Sequence, residues 1–169
     1  MSRKVLSGAE FKKLYPDITF VKLTNERENH NGFQFKTGVN RDHLPFNPEG
    51  VCQPGGIYIC PSHLFYKWLS YNEKMFWFRI VTIPDNAQIY DESSDKVKVD
   101  HLILSERKSI DEGRDLWLQA CKLDHGVLQC VPESLKDREM CLTACKQKGS
   151  ALRYVPESLE DECLKVIQK

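Results

Sequence analysis

The side chains of this chain that could do chemistry are seven cysteines, five histidines and scattered carboxylates, and their spacing decides which chemistry. Cys52, Cys60 and His63, with His43 from the same loop as a fourth group, have the donor types that zinc takes. Zinc sites usually pair two ligands at close spacing, and a Cys-x7-Cys-x2-His run lacks such a pair. Structural thiols and surface imidazoles are therefore expected, with no metal. His30, Tyr58 and Glu92, each in or beside an expected strand, supply an imidazole, a phenol and a carboxylate in chain order. Glu92 sits in the charged run DESSDK, which reads as solvated. Phosphate-loop, dinucleotide and zinc-protease fingerprints are all absent from the sequence.

The elements that would position these groups follow from periodicity. Ser7 to Glu10 has the spacing of a capping box and opens a short helix that Pro16 stops. Residues 18–24, 33–35, 57–60, 74–83, 87–90 and 97–104 are rich in β-branched and aromatic side chains, as strands are. The 74–83 run is apolar on both faces and so belongs in the middle of a sheet. Residues 38–56 hold four Gly and three Pro and read as a long structured loop, with His43, Phe46, Gly55 and Gly56 as its candidate binding residues. Leu64, Phe65, Trp68 and Leu69 share one face of a short helix. Connections this short make a mainly antiparallel α+β domain over 1–108. The aromatics Phe65, Trp68, Phe76, Trp77 and Phe78 are expected in its core rather than around a pocket.

From about position 109 the period becomes helical and the chain repeats itself. Leu118–Arg138 laid over Leu142–Glu162 matches at eleven of twenty-one positions without a gap, at an offset of 24 and including the whole VPESL string. Repeats of this size are stacked supersecondary units that bury a shared face. Ser109, Asp137 and Asp161 are the expected N-caps, Gly149 the expected helix-ending glycine, and Pro156 a stop. Residues 109–169 thus read as a short α-helical repeat, expected to pack on the first domain. Four cysteines, Cys121, Cys141, Cys145 and Cys163, fall on its helices as small buried hydrophobes. Glu133, Lys136, Glu157 and Glu160 read as a solvated face.

Basic and acidic residues balance at 24 each in the whole chain, at 15 against 13 in 1–108 and at 9 against 11 in 109–169. Neither part has the basic excess that nucleic-acid binding through phosphates needs, and no apolar run approaches a membrane span. The first residues lack an apolar leader, so reduced thiols in an intracellular compartment are expected. A chain with so little net self-repulsion tolerates contact with its own kind.

The repeat resembles a helical repeat of unknown function in proteins of giant DNA viruses of amoebae, through Ala144-Cys-Lys146, Gly149, Leu152 and Val155-Pro-Glu157. The upstream strings GVNRDHLPFNPEGVCQPGGIYIC, IVTIPDNAQIY and VDHLIL are similar to a segment of uncharacterised proteins of the same viruses, marseilleviruses in particular. These resemblances imply a viral protein in the host cytoplasm (the viral factory) or in the virion. Separately, the order His30, Tyr58, Glu92 is similar to that of ADP-ribosyltransferases. That likeness implies an imidazole and a phenol holding a nicotinamide nucleotide, and a glutamate steadying a developing cation. The leading expectation is a non-enzymatic protein-interaction or scaffolding factor with a viral or host protein partner. It would be a possible homodimer, with no cofactor, no nucleic acid and no membrane. A nucleotide-dependent transferase is the alternative.

Overall fold

The computed structural model describes residues 5–49, 52–93 and 95–168. The four N-terminal residues, on which the missing leader was read, lie outside them, as do Gly50 and Val51 of the long loop and Ser94 of the DESSDK run. The protein is α+β, and by its internal contacts the chain divides into two units, Met1–Ile110 and Asp111–Lys169.

The first unit carries eleven strands among the described residues: β1 (Val5–Ser7), β2 (Phe20–Thr24), β3 (Asn29–His30), β4 (Phe33–Gln34), β5 (Gly38–Arg41), β6 (Ile57–Pro61), β7 (Trp77–Thr82), β8 (Gln88–Ser93), β9 (Lys96–Val99), β10 (His101–Leu104) and β11 (Lys108–Ser109). Helix α1 (Gly8–Leu14) follows β1, and a 3-10 helix spans Ser62–Trp68. Nine strands make one antiparallel sheet in the order β1-β8-β9-β6-β2-β7-β10-β5, with β11 on β7, while β3 and β4 form a separate hairpin. Strand β6 joins the two halves of the sheet: Ile57–Ile59 pairs with β9, and Cys60–Pro61 pairs with β2. One core of Phe11, Phe20, Phe35, Ile57, Ile89 and Val99, with neighbours, lies against the sheet.

Several local expectations hold. Ser7 caps α1, accepting from the Glu10 amide while the Glu10 carboxylate accepts from the Ser7 amide. Strand β7 is interior, between β2 and β10. The 97–104 run, expected as one strand, is two. Asp100 breaks it, because its carboxylate takes the Gln88 amide, His101 Nδ1 and Arg41 Nη1 at 2.8, 2.8 and 3.1 Å. A carboxylate with that many donors to satisfy bends the chain away from a straight ladder.

In the second unit, α2 (Arg114–Leu123), α3 (Arg138–Gln147) and α4 (Glu157–Ile167) alternate with 3-10 turns. The period of 24 is visible in three dimensions: α2 maps onto α3, and the turn His125–Cys130 maps onto Gly149–Tyr154. Asp137 caps α3, accepting from the Met140 amide at 2.9 Å. Three expectations need correction. Ser109 ends β11 and precedes a 3-10 turn at Ile110–Glu112, so α2 begins only after Gly113. Asp161 lies inside α4, which begins after Pro156. Gly149 opens a 3-10 turn without a left-handed φ, and the reason for glycine there is Ile167, whose Cγ2 would stand 2.9 Å from an added Cβ. Cys121, Cys141, Cys145 and Cys163 are buried free thiols, and burial pushes the thiols of Cys121 and Cys145 up to about 12. Among the described residues no helix is long and apolar enough to cross a membrane.

Candidate functional site

A cavity of about 440 Å³ opens in the first unit between β2, the β3–β4 hairpin, the loop after β5, strand β6 and the chain following Trp68. Its size is that of a small-molecule site, and its lining is more apolar than polar. The 38–56 loop supplies one wall, though its first residues are strand β5. At Gly55 (φ +96°) an added Cβ would stand 2.4 Å from the Pro45 carbonyl oxygen, and at Gly56 (φ +127°) 2.6 Å from the Lys98 side chain. Only glycine lets the loop pass there. The Gly56 amide also donates to Asp42 Oδ2 at 2.7 Å, which fixes the wall to the loop's base.

Of the sequence candidates, His30, His43, Cys52, Gly55, Gly56, Tyr58 and Cys60 line the cavity. Phe46 is half-buried and does not. His43 stacks on Phe33 with the ring planes 7° apart. The four groups weighed as zinc ligands are not gathered: among the described residues no three His, Cys, Asp or Glu side chains form a metal-holding group. Phe65 and Phe78 are core as expected, but Trp68 lines the cavity.

Tyr58 projects from β6 opposite Lys98 of β9, and the ammonium groups of Lys96 and Lys98 lie 4.7 and 5.2 Å from its ring centroid. Burial, and then the neighbouring Glu92 carboxylate, push the Tyr58 phenol far above its usual range, so it is a neutral donor. Its hydroxyl and Glu92 Oε2 have no well-formed hydrogen bond among the described residues. Glu92 itself corrects the sequence reading. It is buried, with 3% of its surface exposed, and its Oε1 lies 2.8 Å from Lys96 Nζ. The cause is a β-bulge: Asp91 pairs with Val97 and Ser93 with Lys96, so Glu92 is the extra residue and turns inward. Glu92 does not line the cavity, so the expected triad has only its imidazole and phenol there. Burial and the nearby Lys22 ammonium hold the His30 imidazole below its ordinary range, which makes it neutral at pH 7.

Two lysines were missed by the sequence reading. Lys22, in the middle of β2, is 8% exposed and lines the cavity. Its ammonium lies 4.7 Å from the Phe35 ring centroid, and no ion pair or hydrogen bond holds it among the described residues. Burial pushes its amine down to about 8, against a small opposing effect of the Cys60 thiol. Lys96 also lines the cavity, with Nζ 2.9 Å from Cys52 Sγ. A lysine inside an otherwise apolar strand was the available signal for Lys22, since a buried charge is retained only against a cost.

A deeper ion pair anchors the hairpin that carries His30. Glu28 and Arg79 are both buried, with Nε–Oε1 and Nη2–Oε2 distances of 2.8 Å. Arg79 Nη1 also donates to Thr37 Oγ1 and the Ser105 carbonyl, so four of the five guanidinium N–H groups are used.

Comparison with known proteins finds viral relatives. Residues 114–160 match a family described as a domain of unknown function (DUF4116). A protein of Acanthamoeba polyphaga mimivirus named "Putative ankyrin repeat protein R868" is 32% identical over 111 residues, 62% of this chain and 54% of that one. A second from the same virus, "Uncharacterized protein R869", is 39% identical over 54 residues, 31% of this chain and 39% of that one. These relatives are giant-virus proteins. The chain spans about half the length of the first and about two fifths of the second. No solved structure matches it at a significant level. The second unit contains the whole DUF4116 match, whereas the cavity lies wholly in the first.

Proposed function

We propose that this is a viral binding protein whose first unit holds a small anionic molecule with a planar ring, a nucleotide by class. Its second unit would make contacts with a protein partner. The observation that carries the reading is Lys22, a buried ammonium without a counter-ion among the described residues, in a cavity that also holds His30 and Tyr58. A phosphate or carboxylate entering the cavity would supply the missing charge, and the aromatic walls would take a flat ring. Function inside an infected cell, in the host cytoplasm or the particle, accords with the viral relatives. A closer tie to marseillevirus proteins and their VPESL-type repeat rests on the strings quoted above.

The transferase alternative keeps His30 and Tyr58 as the pair around a nicotinamide ring. It would need a carboxylate other than Glu92, whose charge is matched by Lys96. Binding without turnover is thus the better reading. Calorimetric titration with ADP and with nicotinamide adenine dinucleotide at pH 7 tests it. Saturable binding is expected, weakened about tenfold or more by Lys22→Met, the worth of one charge-assisted contact. Affinity should also fall as the pH rises through about 8, where the free Lys22 amine loses its proton. No saturation at millimolar nucleotide would sink the proposal.

Self-association through the second unit is a further part of this reading. Leu123, Leu164 and Ile167 are exposed there at 66, 36 and 38%. Light scattering at about 100 µM should then give roughly twice the 19.6 kDa of one chain, reduced by Leu123→Glu. A monomer mass at that concentration removes it.

A further inference from the structure

Cys52 and Lys96 stand together in the cavity wall in an arrangement that ligand binding does not explain. Cys52 is an exposed residue, whereas the lysine that reaches it is buried. Sγ and Nζ are 2.9 Å apart. Lys96 is held from behind by Glu92 at 2.8 Å and lies over the rings of Tyr58 and Trp68 at 4.7 and 5.5 Å. Tyr71 also lines the cavity. Cys52 has φ +55°, a left-handed conformation that strains a non-glycine residue. The ammonium that meets the thiol is thus fixed before any ligand arrives. Lys22, unpartnered in the same cavity, is an independent sign that a small molecule enters it.

We propose that Cys52 is the nucleophilic thiol of this protein and a covalent modification site for small molecules that bring a soft electrophilic carbon into the cavity. In the step, an electron pair of the Cys52 thiolate forms an S–C bond while the carbon's bond to its leaving group breaks. The leaving group departs with its bonding electrons, and Lys96 keeps its proton throughout. The Lys96 ammonium and the Tyr71 hydroxyl favour the thiolate, while burial and the Glu92 charge oppose it; the first two prevail and hold the thiol below its ordinary range. Cys60, in the same cavity, is pushed up to about 12 by burial and stays a thiol. The inference does not depend on whether the natural ligand is a nucleotide.

The test uses the full chain and iodoacetamide at limiting concentration, pH 6.5, with occupancy at each cysteine read by peptide mass spectrometry. Exposed Cys130 is the internal reference. Cys52 is expected to label about tenfold faster than Cys130. Lys96→Met should bring it down to the Cys130 rate, and Lys96→Arg should keep most of the advantage. Because Lys96→Met alone strands a buried carboxylate, Lys96→Met with Glu92→Gln serves as the second variant, its fold checked by circular dichroism. Equal labelling of Cys52 and Cys130 in the unmodified protein overturns the proposal. So does undiminished Cys52 labelling in a folded double variant. Neither result bears on nucleotide titration, so the two proposals fail separately.

Discussion

Lys22→Met is expected to raise stability by up to about 3 kcal/mol at pH 7 while it weakens binding in the cavity. Few substitutions of a buried residue should stabilise, since most such changes remove packing. Here the methionine keeps most of the lysine stem and removes only an ammonium that burial disfavours. The folded amine sits near 8, below the 10.5 of an unhindered lysine, so between those values the unfolded chain binds more protons than the folded one. Stability of the unmodified protein should therefore rise as the pH goes from about 8 to 10.5, and the penalty is fully present below 8. The methionine variant should lack that rise. Urea unfolding at pH 7 and pH 10 measures both effects, and a variant less stable than the parent at pH 7 would show that the ammonium has a stabilising partner. A residue that lowers stability at a site where it would bind a ligand is the expected compromise between stability and activity.

Arg79→Met is expected to do the reverse, with a loss of about 3 kcal/mol, because Glu28 would be left as a buried charge met only by the half-exposed Arg107 at 3.4 Å. Such a loss is a large share of the stability of an ordinary domain. Replacing both partners, with Glu28→Gln added, should recover much of it, and a double-mutant cycle by chemical unfolding isolates the pair. Burial alone would raise the Glu28 carboxyl, but Arg79, Thr24 and Arg107 together hold it below its usual value. Its contribution is thus fully present above the unfolded carboxylate range, about 4.3, and is lost as the pH falls through the lower folded value. An Arg79→Met protein as stable as the parent would refute the assignment. The pair also matters to the cavity. Glu28 has φ +53° and lies two residues before His30, so freeing it should let the hairpin wall drift.

The fold was largely legible because its signals are local. The Ser7 box, the strand around Ile80 and the matched strings at an offset of 24 each depend on residues near in sequence. The site was legible only in part. Gly55 and Gly56 announced a wall. Glu92 was misread because a bulge adds one residue and reverses which side chains face in, and no composition rule reports that. Lys22 was passed over because a lysine in a strand reads as edge or solvent-facing, and Lys96 because it closes the charged DESSDK run, which reads as solvated. What they do is decided by partners far along the chain: Cys52 lies 44 residues from Lys96.

The arginines at the starts of α2 and α3 have a further consequence. Arg114 bonds Asp137 and Glu139 at 2.5 and 2.6 Å, and one period later Arg138 bonds Glu162 at 2.5 Å. Arg114 clasps acids at the start of α3, and Arg138 reaches an acid within α4. Counting in steps of 24, the series runs arginine, arginine, glutamate, so at Glu162 the clasp position becomes a receiver. One codon thus sets how far the clasp propagates, and duplicating a 24-residue block ahead of it would lengthen the array without changing its register.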